Sequence, residues 1–381
     1  MDKTRDPAIL FLVAMTKQRW VRGGIQSARP ELRTRRQCFM WEIGLITVLL
    51  AFAFTFTNGF QDASSIGATF IASRSATPKA GILLVAGMSF LGAILGGSAV
   101  AFTITGLVSV SPGVQTLLVL MVALLSASTW NLLTWKFALP SSSTYGLIGG
   151  LVGGGIAAAG IESVNWGIEQ LFSPSHELSG LVLIMVFFVV SILIGFFGSY
   201  FMHRATGIIL RNAKRSVNGA IIRLNWIAAS AMAFFNGAND TQKQMGIIAL
   251  ALFATSQSAV PEVPFWVRFL CAVLLAAGTI SGGWRIMKTL GSRIFKIAPV
   301  HSFDSQFFSA SAMGISTLAG APVSSTQVIV MSVIGAGAAE NPKKVKWSVG
   351  KHILFAMAIT IVVTMVIAAC LYRIIAPAIG V

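Results

Sequence analysis

Hydrophobic residues fill this chain in long unbroken runs, and polar residues gather in short connectors between them. The runs at 81–110, 114–133, 181–201 and 352–372 each reach the roughly 20 residues with which a helix crosses a bilayer's hydrocarbon. Continuous runs, as opposed to ten-residue alternating segments, select helices over a closed barrel of strands. The pattern therefore predicts an all-α, polytopic membrane protein. Residues 41–57 read as a helix stopped by Asn58-Gly59, with 62–73 as a short second piece. Segments at 80–110 and 114–137 follow, then a small-residue helix at 145–160, an acidic loop at 161–178 and a span reaching Tyr200. From Leu224 the pattern restarts. Residues 224–235 run into Asn236-Gly237, 244–254 follow, and further segments lie at 265–280, 327–339 and the C-terminus. The glycines of 145–160 let helix backbones approach closely in lipid, which places that helix in the bundle interior.

Composition agrees. Hydrophobic residues make up 55% of the 381 and charged residues only 10%, where soluble domains carry about 25%. The net charge of +16 does not indicate nucleic acid, because the basic residues sit in the connectors, as in cytoplasmic loops facing a membrane. Cys38, Cys271 and Cys370 have no framework spacing, and the four histidines show no metal-ligand spacing and read as interfacial residues. Residues 1–39 form a basic, poorly ordered tail with no spanning segment or cleavage site, and Met40 offers a second natural start. The chain then divides into a first membrane repeat (40–206), a basic cytoplasmic loop (207–223) and a second membrane repeat (224–381).

The two repeats carry the same two elements in the same order. An Asp follows Asn-Gly within an apolar segment in each, at Asp62 and Asp240. Pro140-Ser141-Ser142-Ser143-Thr144 is matched by Pro322-Val323-Ser324-Ser325-Thr326. Asp62 precedes Ser143 by 81 residues and Asp240 precedes Ser325 by 85. Duplicated, interrupted hydrophobic segments point to a secondary transporter with its site between the repeats. An acid in such a segment is costly, by about 2.5–3.5 kcal/mol on insertion scales, and marks a functional position.

The chemistry follows from the residue types. Ser142, Ser143 and Thr144, with Ser324, Ser325 and Thr326, place hydroxyls at two helix starts, where free N–H groups and the helix dipole suit a tetrahedral oxyanion. Alternatively, such clusters only cap helices. Asp62 and Asp240 read as sodium ligands together with Asn58, Asn236 and Asn239, as proton carriers, or as structural caps. A carboxylate repels a bare anion, so a co-transported cation between the two favours symport. Lys243 either pairs with Asp240 or reaches the anion, and Gln61 and Gln242 are neutral donors. No Walker sequence and no Gly-x-Ser-x-Gly elbow occurs, which argues against an ATP-driven pump and a serine hydrolase.

Four stretches resemble the inorganic phosphate transporter family: Asn58-Gly59-Phe60-Gln61-Asp62, Asn236-Gly237-Ala238-Asn239-Asp240-Thr241-Gln242-Lys243, Gly282-Gly283-Trp284-Arg285 through Gly291, and Ala321-Pro322-Val323-Ser324-Ser325-Thr326. The likeness runs from about Met40 to the C-terminus and is that of the bacterial low-affinity permeases. It implies inverted repeats with broken helices or helical hairpins at the centre, phosphate as substrate, and coupling to sodium or protons. It also implies a homodimer in the inner (plasma) membrane, no enzymatic activity and no cofactor beyond bound sodium ions. Ser65 stands where the family commonly has Asn, Gln61 where bacterial members carry His or Asn, and Tyr145 and Gln327 where His is frequent. These departures leave open sulfate or another tetrahedral oxyanion. From a different class, an ion channel remains an alternative, although paired breaks within one chain are unlike a channel filter. A membrane enzyme on phosphate esters lacks a nucleophile–base set.

Overall fold

The computed structural model describes residues 30–380 except 137–140, 175, 215, 257–260 and 282–296. The basic tail before Pro30, Pro140 and the Gly282–Gly291 motif lie outside the described residues. Helices make up the structure: α1 (Pro30–Ala72), α2 (Pro78–Leu95), α3 (Ala99–Thr105), α4 (Val114–Lys136), α5 (Ser143–Ala159), α6 (Ile168–Leu171) and α7 (Gly180–Leu193). A π-helical turn, Ile194–Gly198, joins α7 to α8 (Ser199–Ile209). The second half comprises α9 (Val217–Ser256), α10 (Phe265–Ser281), α11 (Pro299–Leu318), α12 (Ser325–Glu340) and α13 (Trp347–Ala378). Among the described residues, six segments are long and apolar enough to cross a membrane, carried by α1, α2, α4, α7–α8, α9 and α13. The molecule is a multi-pass helical membrane protein.

Three expectations change. Of the loop expected at 207–223, residues 207–209 belong to α8 and 217–223 to α9, which leaves 210–216 between them. Residues 30–39, assigned to the tail, form the first turns of α1, which opens on a proline pre-set for a helix start. The largest correction concerns Asn58-Gly59 and Asn236-Gly237. Neither stops its helix; α1 and α9 run through both as single elements of 43 and 40 residues. The backbone carbonyls that such breaks would have freed are therefore held within the helices.

These glycines serve close crossings instead. A Cβ on Gly59 would stand 2.4 Å from the Leu275 carbonyl oxygen of α10, and one on Gly237 would stand 2.0 Å from that of Ser89 on α2. Gly153 of α5 lies against Met365 O of α13, and its counterpart Gly335 of α12 lies against Phe196 O of the π turn. In each case a Cβ would sit 2.1 Å away. All four crossings pair one half with the other. Contact at this range excludes any side chain and gives the backbone-to-backbone packing that holds helices together in lipid.

The interruptions of the membrane segments occur at the hydroxyl clusters. The α4–α5 and α11–α12 pairs are helical hairpins with their tips at Ser141–Ser142 and Ala319–Ser324. As expected, α5 is interior: Ser143 through Gly155 are all buried. Of α12, all but Met331 and Glu340 are buried.

Candidate functional site

The two hairpin tips meet. Ser142 is the N-cap of α5 and accepts the Tyr145 N–H at 3.4 Å, while Ser324 is the N-cap of α12. Thr144 in the first turn of α5 donates to the Val323 carbonyl just before α12, at 3.2 Å. One residue further on, the Tyr145 hydroxyl donates to Gln327 Oε1 at 2.5 Å. Tyr145 and Gln327 hold the same position relative to Thr144 and Thr326, so counterparts of the two halves touch. Two helices of about four turns thus bring their positive ends together, the arrangement that favours an anion.

The long helices supply the charge. On α9, Asp240 and Lys243 are one turn apart and fully buried, and the Lys243 ammonium pairs with Asp240 Oδ1. The same ammonium donates to Thr144 Oγ1 at 2.6 Å and to Val323 O at 3.0 Å. It therefore pairs with the carboxylate, the first of the two roles read for it from the sequence, and also reaches the hydroxyl cluster. On α1, Ser65 occupies the position equivalent to Lys243 and meets Thr326 Oγ1 at 3.4 Å. The two contacts are counterparts: one residue of each long helix touches the threonine of the opposite hairpin.

Gln61 donates to Ser141 Oγ at 3.1 Å, and Ser141 in turn lies 2.7 Å from Thr134 Oγ1. Neither Ser141 nor Thr134 was singled out by sequence reasoning; Ser141 lay within a quoted motif, but Thr134 carried no signal. Asn239 uses its side chain on the α11–α12 tip. Its Nδ2 donates to Thr317 Oγ1 and Ala321 O, and its Oδ1 accepts the Val323 N–H. Gln242 turns to the opposite side, donating to Gly96 O and accepting from Val100 N at the α2–α3 connection. Its amide is thus taken up outside the cluster. Ser143 is buried in the first turn of α5. The Asp62 side chain lies outside what is described.

Several buried polar atoms of α1, α9 and α12 have no hydrogen-bond partner among the described residues: Asp240 Oδ2, Asn236 Oδ1, both side-chain ends of Asn58, Ser325 Oγ and Gln327 Nε2. Buried polar groups are normally paired, and clusters of exceptions mark places where a ligand, ion or water completes the bonding. The set contains oxygen acceptors suited to a hard cation and donors suited to an anion.

Comparison with known proteins identifies the family. The phosphate transporter family matches residues 58–227 and 210–368. A probable low-affinity inorganic phosphate transporter of Bacillus subtilis (strain 168) is 33% identical over 331 residues, covering 86% of this chain and 96% of the relative. One of the same description from Rhizobium meliloti (strain 1021) is 36% identical over 333 residues, covering 87% and 95%. Among solved structures, one described as the sodium-dependent phosphate transporter superposes with a TM-score of 0.75. It is 24% identical and covers 88% of this chain and 99% of its own.

Proposed function

Because this chain belongs to the phosphate transporter family, we propose that it imports inorganic phosphate across the plasma membrane with a cation, Na+ or H+, by alternating access. The family is one of transporters, not enzymes. The observation that carries the reading is the meeting of the α5 and α12 first turns at Lys243. Two helix N-termini, hydroxyl groups from both halves and a buried ammonium surround one location, and each feature lowers the energy of a tetrahedral anion there.

The electrostatics favour symport. Asp240 alone would repel phosphate, but Lys243 neutralises it within the protein. A bound oxyanion still brings one or two negative charges into a low-dielectric interior, where an unpaired ion is strongly disfavoured. Sodium or a proton entering with the anion offsets that cost. The acceptors available are Asn58 Oδ1, Asn236 Oδ1 and Asp240 Oδ2, and Asp62 supplies the second carboxylate in the sequence. Alternating access then consists of the two interlocked halves, read as inverted repeats, rocking about the hairpin tips.

Uptake of radiolabelled phosphate into proteoliposomes, with sodium and proton gradients imposed separately, tests this reading. Uptake driven by one gradient and insensitive to excess sulfate is expected. Sulfate competing on equal terms would move the substrate to tetrahedral oxyanions in general. Absence of counterflow would exclude a carrier.

A further inference from the structure

Three side chains from three elements converge at the end of the bundle remote from the hairpin tips. His203 stands on α8, His301 in the first turn of α11, and Glu340 is the last residue of α12. Glu340 is fifteen residues from Ser325 in the same helix, roughly 22 Å along the axis at 1.5 Å per residue. This cluster is therefore separate from the Lys243 centre. One ligand atom from each of the three lies within 4.8 Å of the other two. The two imidazoles stack with centroids 4.6 Å apart, and His301 Nε2 faces Glu340 Oε2 at 2.5 Å.

We propose that His203, His301 and Glu340 bind a divalent transition-metal cation of the zinc type. Two imidazoles and a carboxylate form an N/O donor set suited to such an ion. Ligands about 2.1 Å from a tetrahedral zinc stand about 3.4 Å apart, so modest side-chain rotation closes the triad. The surroundings already prepare one ligand. His203 Nδ1 lies 2.8 Å from Asp304 Oδ2, and Thr206 donates to Asp304 Oδ1 at 3.1 Å. Asp304 is fully buried. With its Nδ1–H donated to the Asp304 carboxylate, His203 keeps the Nε2 lone pair for the ion, the usual carboxylate–histidine–metal pattern.

His301 is set the other way. Its Nδ1 accepts the Ala298 N–H at 3.0 Å, which puts the proton on Nε2, toward Glu340. Ligation through Nε2 moves that proton to Nδ1 and releases the Ala298 bond. Loading is therefore coupled to the first turn of α11. The Glu340 charge and the negative end of the α12 dipole attract a cation, while Lys344, 3.7 Å from Glu340 Oε1, opposes it. These two costs make the site weaker than a closed structural zinc cage. Glu340 is 38% exposed on its side chain, which opens the triad to solvent.

The test is a titration of the purified full-length protein, without a polyhistidine tag and in detergent. Zn2+ is followed by calorimetry and Co2+ by visible absorption. One saturable equivalent per chain is expected, with a zinc-dependent rise in the thermal midpoint. His203→Ala and Glu340→Gln should weaken binding at least tenfold. Asp304→Asn, which leaves all three ligands in place, should weaken it about tenfold or more. Absence of saturable binding, or binding unchanged in both His203→Ala and Glu340→Gln, overturns the proposal and leaves a hydrogen-bonded cluster closing the bundle. The readout is binding, so it stands or falls independently of phosphate uptake.

Discussion

The Lys243 ammonium of the second half donates to Thr144 of the first at 2.6 Å while it is paired with Asp240. Both members of the pair are buried, so removing one leaves an uncompensated charge, at a cost of about 3–5 kcal/mol. Lys243→Met and Asp240→Asn should each lower the thermal midpoint in detergent and reduce phosphate uptake at least tenfold. The double substitution Asp240→Asn with Lys243→Met should recover most of the lost stability and none of the uptake. Thermal unfolding of the four members of this cycle measures the coupling. Strictly additive losses would mean that the pair is not the stabilising unit.

Lys243→Arg should not rescue transport. The guanidinium is planar and larger than an ammonium, and it would have to satisfy Asp240, Thr144 and Val323 O from within a space shaped for a point charge. Uptake near the wild-type level in this variant would show that only the charge matters there.

Tyr145→Phe removes the hydroxyl that donates to Gln327. Interhelical hydrogen bonds of this kind in membranes are worth about 0.6 kcal/mol on average and up to about 1.7, so the protein should still fold. The variant leaves Gln327 without its orienting partner at the point where the two hairpins touch. A raised KM for phosphate is expected, with a smaller change in kcat, in a proteoliposome uptake series.

Gly237→Ala should destabilise the protein by about 1–3 kcal/mol, the range for overfilled cores, because the new methyl would stand 2.0 Å from Ser89 O. Gly59→Ala should behave alike, against Leu275 O. Gly207→Ala, with nothing within 4 Å, serves as the control and should be neutral or slightly stabilising. Thermal midpoints by fluorescence-detected size exclusion compare the three.

Much of this architecture was legible in the sequence. Paired acids and hydroxyl clusters stand out in apolar segments because lipid tolerates so few of them, and their matched spacing disclosed two halves. Asn58-Gly59 and Asn236-Gly237 misled for a physical reason. A glycine after Asn is the usual helix stop, but it is equally the residue that lets another backbone approach, and the approaching backbone, Leu275 or Ser89, lies far away in the chain. Asn239 and Gln242 flank Asp240, yet which way each amide turns depends on the α11–α12 tip and the α2–α3 connection. His203, His301 and Glu340 carried no spacing signal, since packing of α8 on α11 and α12 brings them together.

The glycine crossings have a consequence for how such a chain is assembled. Gly59 and Gly153 fit against backbone that the second half provides, and Gly237 and Gly335 fit against backbone from the first. A half-length polypeptide would present these grooves bare to lipid, and a single copy has nothing of its own to fill them. Severing the chain between α8 and α9, at residues 210–216, should therefore yield two fragments that are each incomplete in isolation and that reunite when produced together.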